Sequence, residues 1–374
     1  MPQQEALGEF NQAVRSEWNT VMLVPTGIGA TVGGFAGDAS QTMRLLASVS
    51  ERLITHPNVA NAGVFQHMPD NVWYVEGYAL DQWMRGQWVL GSRRRPHRLG
   101  VILDAGIPER MRTHTLNTIG AIETVYGIEL VGIETTSEPV VSEVTLSASG
   151  GSQGNVSNPA TLIEAGQTLK MKGATAIAVG VHFLDAETEA LEKAEAAYKA
   201  GQGLDPIGGL EALISHTLVR ALKMPCAHAP VLTEENSAPE FESLLDPRVA
   251  SEYIAPTFLP CVLTGLRQAP DFYTAGEDLS NRPCPSSVLT VHDVDVVVVP
   301  ADAMGSIPVL EAIEKGITVI GVKENTTHMQ MTRAAFSVQQ RARLYTVNNY
   351  IEAAGLIQSL RLGLPVPASV CADA

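Results

Sequence analysis

The chain has 374 residues, 45% of them hydrophobic and only 5% aromatic, with a formal net charge of −15. That length predicts two domains, and the acidic balance excludes nucleic acid as a partner, because phosphate neutralisation needs clustered Lys and Arg. The N-terminus carries no apolar run of the signal-peptide kind, and no stretch of about 18 apolar residues follows to span a membrane. Cys226, Cys261, Cys284 and Cys371 form no C-x-x-C pair, so a structural zinc framework is not indicated and a cytoplasmic protein is expected.

Taken in chain order, the first strand-like run is 20–25, TVMLVP, followed by VPTGIGATVGGFAGDAS with Gly27, Gly29, Gly33, Gly34 and Gly37 around Asp38. A helix is predicted over 41–53 with Asp38 as its cap, then strands over 72–78 and 99–105 and a helix over 109–126. The run Arg93-Arg94-Arg95 with His97 and Arg98 reads as a solvated loop. Strand 128–134 precedes a Ser-, Gly- and Asn-rich stretch, 140–159, read as a linker or active-site loop. Helices over 161–172, 187–200 and 207–222 surround strand 174–183. The proline-dense segment Ala229–Val288 has no clean period, and a long irregular stretch is often functional. Strands 294–300 and 317–322 flank a helix over 309–315. Unbroken β-branched runs alternating with amphipathic helices predict an α/β fold of mostly parallel sheets built from Rossmann-like βαβ units in two lobes. The boundary is expected near 145, with an N-terminal α/β domain over 1–145 and a C-terminal one over 146–374.

In open parallel sheets, ligands bind beyond the carboxyl ends of the strands. The predicted strands deliver Thr26, Asp104, Glu134, His182, Asp302 and Lys323 there. The first glycine loop follows a strand and precedes a helix, so its amides can meet an anion. Its spacing is not G-x-G-x-x-G, and no G-K-[ST] is present, so neither a dinucleotide fingerprint nor a P-loop is written here. Gly305 and Ser306 form a second glycine unit. It is loosely similar to the nucleotide-binding half of two-domain glycosyltransferases, while an ordinary βαβ crossover explains it equally well. In GLDPIGGLEALISH, Asp205 and Pro206 read as a helix start, and Gly208 and Gly209 weaken a helix enough to suggest close approach under His216. His56, Asn58 and Asn61 add imidazole and amides. Lys323, Glu324, Asn325 and His328 do the same, with Glu324 and His328 on one face if the segment is helical.

The segments VPTGIGATVGGFAGDA, ITHPNVANA, YVEGYALD, DPIGGLEALISH and GVKENTTHM resemble the domain-of-unknown-function 3326 family of cyanobacteria and related plastid lineages. They spread over nearly the whole chain, so the resemblance implies one full-length unit; it implies no activity.

The residues point to an enzyme acting on a small anionic metabolite by acid/base chemistry, of isomerase, lyase or cyclase type, with no redox cofactor and as a homodimer. His56, His216 and Glu324 are the candidate proton-transfer groups. Thr26, Gly27, Gly29, Gly33, Gly34, Asn58, Asp104, His182, Asp205, Gly208, Gly209, Gly305, Ser306, Lys323 and Asn325 are the candidate binding groups. No metal ligand set is written in the sequence, although His182 or His228 could join Glu324 and His328 around a divalent ion. Two rivals stand: a nucleotide- or nucleotide-sugar-dependent transferase, which needs both glycine units at one cleft, and a non-catalytic metabolite-binding protein.

Overall fold

The computed structural model describes residues 17–366 apart from 36, 62–67, 148–150, 184–188, 232–246, 249, 251–257, 278–284 and 286. Cys284 and Cys371, and parts of the 140–159 and 229–288 segments, lie outside the described residues.

The fold is α/β, built on two parallel sheets. The larger contains β1 (Asn19–Met22), β2 (Arg52–Thr55), β3 (Val72–Tyr74), β13 (Val296–Pro300), β14 (Thr318–Val322) and β15 (Leu344–Val347), in the order β15-β14-β13-β1-β2-β3. Strand order runs outward from the β1–β13 seam in both directions, as in a doubly wound sheet. The smaller contains β5 (Leu99–Leu103), β6 (Leu130–Thr135), β9 (Ala176–Val181) and β10 (Cys226–Pro230), in the order β10-β9-β5-β6. Every residue of β5, β9 and β13 is buried, the signature of parallel strands covered on both faces. Two antiparallel pieces complete the sheets. One joins β4 (Trp88–Gly91) to β11 (Asp271–Thr274) and β12 (Val288–Leu289); the other is a hairpin of β7 (Ser142–Leu146) and β8 (Ser152–Val156).

Among the described residues ten helices cover the sheets: α1 (Ser40–Ser48), α2 (Pro57–Ala60), α3 (Gly77–Met84), α4 (Glu109–Tyr126), α5 (Pro159–Met171), α6 (Glu189–Lys199), α7 (Gly208–Leu222), α8 (Phe258–Leu266), α9 (Ile307–Glu314) and α10 (Tyr350–Arg361). Among the described residues no helix is long and apolar enough to cross a membrane.

Several expectations need correction. Both sheets are assembled across residue 146: β1 pairs with β13, and β5 with β9. A division into 1–145 and 146–374 therefore does not follow the sheets. The helix expected over 41–53 stops at Ser48, and Arg52–Thr55 turns back as strand β2. The stretch read as a linker holds the β7–β8 hairpin, whose burial alternates along each strand. In the basic run, His97 is buried, bonded to Thr175 and the Ala269 carbonyl, and Arg93 pairs with Asp271.

Candidate functional site

A cavity of ≈ 250 Å³ opens where carboxyl ends of strands from both parallel sheets face each other. Thr26 follows β1, His56 and Asn58 follow β2, Glu76 follows β3, Phe183 follows β9, and His228 lies in β10. Helix α7 and the turn before it close one wall through Asp205, Glu211, Ser215 and His216. Apolar side chains of Val144, Leu191, Tyr198, Phe258 and Val262 complete the enclosure.

Two imidazole–carboxylate pairs face this space. His216 Nε2 lies 3.0 Å from Glu76 Oε1. The other Glu76 oxygen accepts the amides of Tyr78 (2.9 Å) and Ala79 (3.4 Å), so the N-terminal cap of α3 fixes the carboxylate. Burial pulls the His216 pKa down, while the hydrogen bond and charge of Glu76, with the charge of Asp81, push it up; the net shift is upward from 6.5. Burial raises Asp81 to about 6 despite the opposing charges of His216 and Arg85. Gly77 lets the ring approach closely, since a Cβ there would stand 2.9 Å from His216 Nε2 and push the imidazole aside.

The second pair is His228 with Glu211, Nε2 to Oε2 3.3 Å. The other ring nitrogen, Nδ1, is 2.6 Å from Ser215 Oγ. Glu211 and Ser215 sit four residues apart on α7, on one face of the helix. A third imidazole, His56, is 7% exposed. Its Nε2 accepts the Val24 amide at 3.0 Å, which places the ring proton on Nδ1. Burial lowers its pKa to about 4, so it is neutral at physiological pH. Asp205 accepts the Ile207 amide at 2.9 Å ahead of α7. Burial, then the nearby charge of Glu211, raises its pKa to about 8, which keeps it a neutral acid at pH 7.

Of the residues singled out from the sequence, the cavity gathers Thr26, Gly34, His56, Asn58, Asn61, Asp205, His216 and His228. The others have different work. Glu324 is exposed and accepts the Tyr350 amide at 2.7 Å, capping α10; the 323–330 segment is not helical, so the spacing of four does not by itself put Glu324 and His328 on one face. Asn325, 1% exposed, clamps the glycine loop by bonding both backbone groups of Val32 and the Tyr350 hydroxyl. Lys323 is exposed beside it. The remaining loop glycines turn the chain: Gly27, Gly29 and Gly33 have φ of 71°, 64° and 85°. The His328 ring packs on Gly29. Asp38 does not cap α1; its Oδ1 accepts the Gly33 amide at 2.7 Å and closes the loop. Asp104 accepts the amides of Gly106, Val140 and His182, locking the end of β5 to β9. His182 itself bonds the Val231 carbonyl at 3.0 Å. Gly305 packs under Met331, and Ser306 is the N-cap of α9; neither lines the cavity.

Gly208 and Gly209 do mark close approach, but not to His216. A Cβ on Gly209 would lie 2.3 Å from the Ser152 carbonyl oxygen, and one on Gly208 3.0 Å from Thr26 Cγ2. The two glycines seat the β7–β8 hairpin and the first loop against α7. Glu76, Glu211 and Ser215 were not singled out from the sequence. The signal was there for the latter two, a Glu and a Ser four apart in the run predicted as a helix over 207–222, with Ser215 directly before His216. Among the described residues no three His, Cys, Asp or Glu side chains converge as a metal-ligand group.

Residues 19–369 match the family model described as a protein of unknown function, DUF3326. The chain belongs to the DUF3326 family. It is similar to an uncharacterised lipoprotein of Synechococcus sp., 37% identical over 346 residues that make up 92% of this chain and 91% of the relative. Among solved structures, a periplasmic binding protein/LacI transcriptional regulator from Alkaliphilus metalliredigens, complexed with D-xylulofuranose, aligns at 9% identity over 72% of this chain and 93% of that chain, with a TM-score of 0.17. The DUF3326 fold described above rests on the pairing of its own strands.

Proposed function

We propose that the chain is an enzyme that moves protons on a small metabolite held in this cavity, without a redox cofactor, by chemistry of the isomerase, lyase or cyclase type. The observation that carries this reading is the pairing of two imidazoles with two carboxylates, His216–Glu76 and His228–Glu211, on one enclosed space. His216, whose pKa Glu76 and Asp81 raise against the effect of burial, supplies the acid partner. His228, with Glu211 behind it, supplies a base, and the neutral His56 offers an Nδ1–H donor.

Among the described residues the cavity lining includes Glu76, Glu195, Asp205 and Glu211 and no Lys or Arg. A metabolite with several anionic groups is therefore a poor match. One carboxylate or phosphate could be met by the His216 imidazolium and by Asp205, whose raised pKa makes it a hydrogen-bond donor rather than a repelling charge. The transferase reading is less well supported, since the Gly305–Ser306 unit is not among the lining residues. A non-catalytic binding role would keep the same cavity and tolerate loss of His216.

The test is a thermal-shift panel of small carboxylic acids, sugar phosphates and nucleotides, followed by proton-exchange NMR on any ligand that raises Tm. A ligand at about 100 times its Kd adds about 2.7 kcal/mol. Solvent-proton exchange into that ligand, lost in His216→Ala, supports the enzyme reading. Binding without exchange supports the binding protein, and shifts with nucleotides alone support the transferase. A cytoplasmic location is proposed alongside; the relative's name, a lipoprotein, makes cell fractionation with and without detergent the measurement that decides it.

A further inference from the structure

We propose that Ser215 is a nucleophile, with His228 as its general base and Glu211 as the residue that positions His228, so that the cavity also accepts acyl groups from small esters or thioesters. The inference rests on the cavity being an active site and is independent of any role for His216.

The hydrogen-bond directions carry it. Ser215 Oγ accepts the backbone N–H of His228 at 3.2 Å and lies 2.6 Å from Nδ1 of the same residue. Nε2 faces the Glu211 carboxylate at 3.3 Å and therefore carries the ring proton, which in the neutral imidazole leaves Nδ1 as the lone-pair nitrogen that accepts the Ser215 hydroxyl. The opposite tautomer would aim a lone pair at a carboxylate. The arrangement Oγ–H to imidazole, and imidazole N–H to carboxylate, is the relay that a serine nucleophile needs. Here Nδ1 rather than Nε2 faces the hydroxyl, and roles are set by geometry rather than by atom name.

An ordinary helical serine or threonine bonds the carbonyl one turn back, as Thr217 does with Leu213. Ser215 turns its hydroxyl to His228 instead. All three residues of the relay line the cavity.

The step balances. Ser215 Oγ forms a bond to the acyl carbon as its proton passes to His228 Nδ1. The bond from that carbon to the leaving oxygen or sulfur breaks, and His228 returns the proton to the leaving group. Water then adds to the acyl carbon, giving a proton to His228. The Ser215 ester breaks, Oγ recovers the proton, and a carboxylic acid leaves.

The experiment uses the full chain with 4-nitrophenyl acetate, and phenylmethanesulfonyl fluoride as a second electrophile. Release of nitrophenolate is followed, and modified peptides are mapped by mass spectrometry. The expected result is one acetyl or sulfonyl group on Ser215, absent in Ser215→Ala and formed at least about 100-fold more slowly in His228→Gln. Glu211→Gln should displace the acid limb of the pH–rate profile for acylation, a change that a purely structural role would not produce. Melting curves verify that each variant is folded. Failure of both electrophiles to modify Ser215 in folded protein, or modification at an unchanged rate in His228→Gln, overturns the proposal. If Ser215 stays unmodified while metabolites still raise Tm and exchange protons, the nucleophile falls and the acid/base reading stands. Acylation without any metabolite response gives the reverse.

Discussion

Glu76 divides its carboxylate between two tasks: one oxygen lies 3.0 Å from His216 Nε2, and the other caps helix α3 at the Tyr78 and Ala79 amides. Helix and imidazole are thereby fixed by the same buried group. Glu76→Gln keeps an oxygen for the cap and removes the charge, at a cost of about 1–2 kcal/mol. The His216 pKa is raised on folding, so its contribution to stability is present below 6.5 and is lost as pH rises through the higher folded value. Urea midpoints should therefore fall through that window in the wild type and flatten in the variant.

His56 has the opposite sign. Its folded pKa of about 4 lies below its ordinary 6.5, so the unfolded chain binds the proton first and stability falls as pH drops between those values. The full effect is about 3 kcal/mol for this one group. His97, lowered to about 4 chiefly by burial, adds a similar slope. His56→Gln should remove about half of the combined acid sensitivity below pH ~6.5, measured by chemical denaturation.

Asp205 is destabilising when ionised. Its pKa rises from 3.8 to about 8, so stability is lost as pH increases through that interval. Asp205→Asn should raise the melting temperature at pH ~8 and change it little at pH ~4. Asp205→Ala, which removes the donor, should weaken binding of any carboxylate ligand, the trade expected where a site is built at the expense of stability.

Glu324 was the acid expected from the sequence, and its place at the start of α10 predicts a quiet variant. Glu324→Gln should leave turnover unchanged. Asn325→Ala should cost about 2–3 kcal/mol, because it strands the part-buried Val32 backbone groups and the buried Tyr350 hydroxyl. Comparing the two by denaturant melts and by ligand-induced Tm shift separates clamp from catalyst.

Glycines divide cleanly by what a methyl group would meet. Gly209→Ala would press on the Ser152 backbone and should cost more than ~2 kcal/mol, as overpacking does. Gly120→Ala, exposed within α4 with nothing inside 4 Å, should stabilise by about 0.5–1 kcal/mol. Thermal melts of the two variants check both signs.

The α/β architecture was legible because β5, β9 and β13 are apolar runs with polar residues just beyond their ends, and His56 and Asp205 were legible as polar groups at element boundaries. The short strands were not. Arg52–Thr55 is four residues long and continues the apolar spacing of the helix before it, and Cys226–Pro230 ends in a proline. The β7–β8 hairpin hid in a Ser-, Gly- and Asn-rich composition, though its burial alternates with a period of two. Glu76 was masked because Val72–Tyr78 read as one strand, whereas the strand ends at Tyr74 and Glu76 caps the following helix. Which strand ends share a cavity depends on how the two sheets face each other, and no local pattern records that.

The pairing of β1 with β13 carries a consequence for synthesis. Thr20 and Val296 are neighbours in the sheet, yet most of the chain is made between them. While the ribosome translates that interval, β1 presents an open hydrogen-bonding edge of buried-type residues with no native neighbour on that side. Such long-range closure slows folding and leaves the nascent chain exposed to aggregation. The last-made segment, from Val296 onward, thus acts as the closing piece for the first-made strand, and a chain terminated before β13 should be a substrate for chaperones rather than a folded fragment.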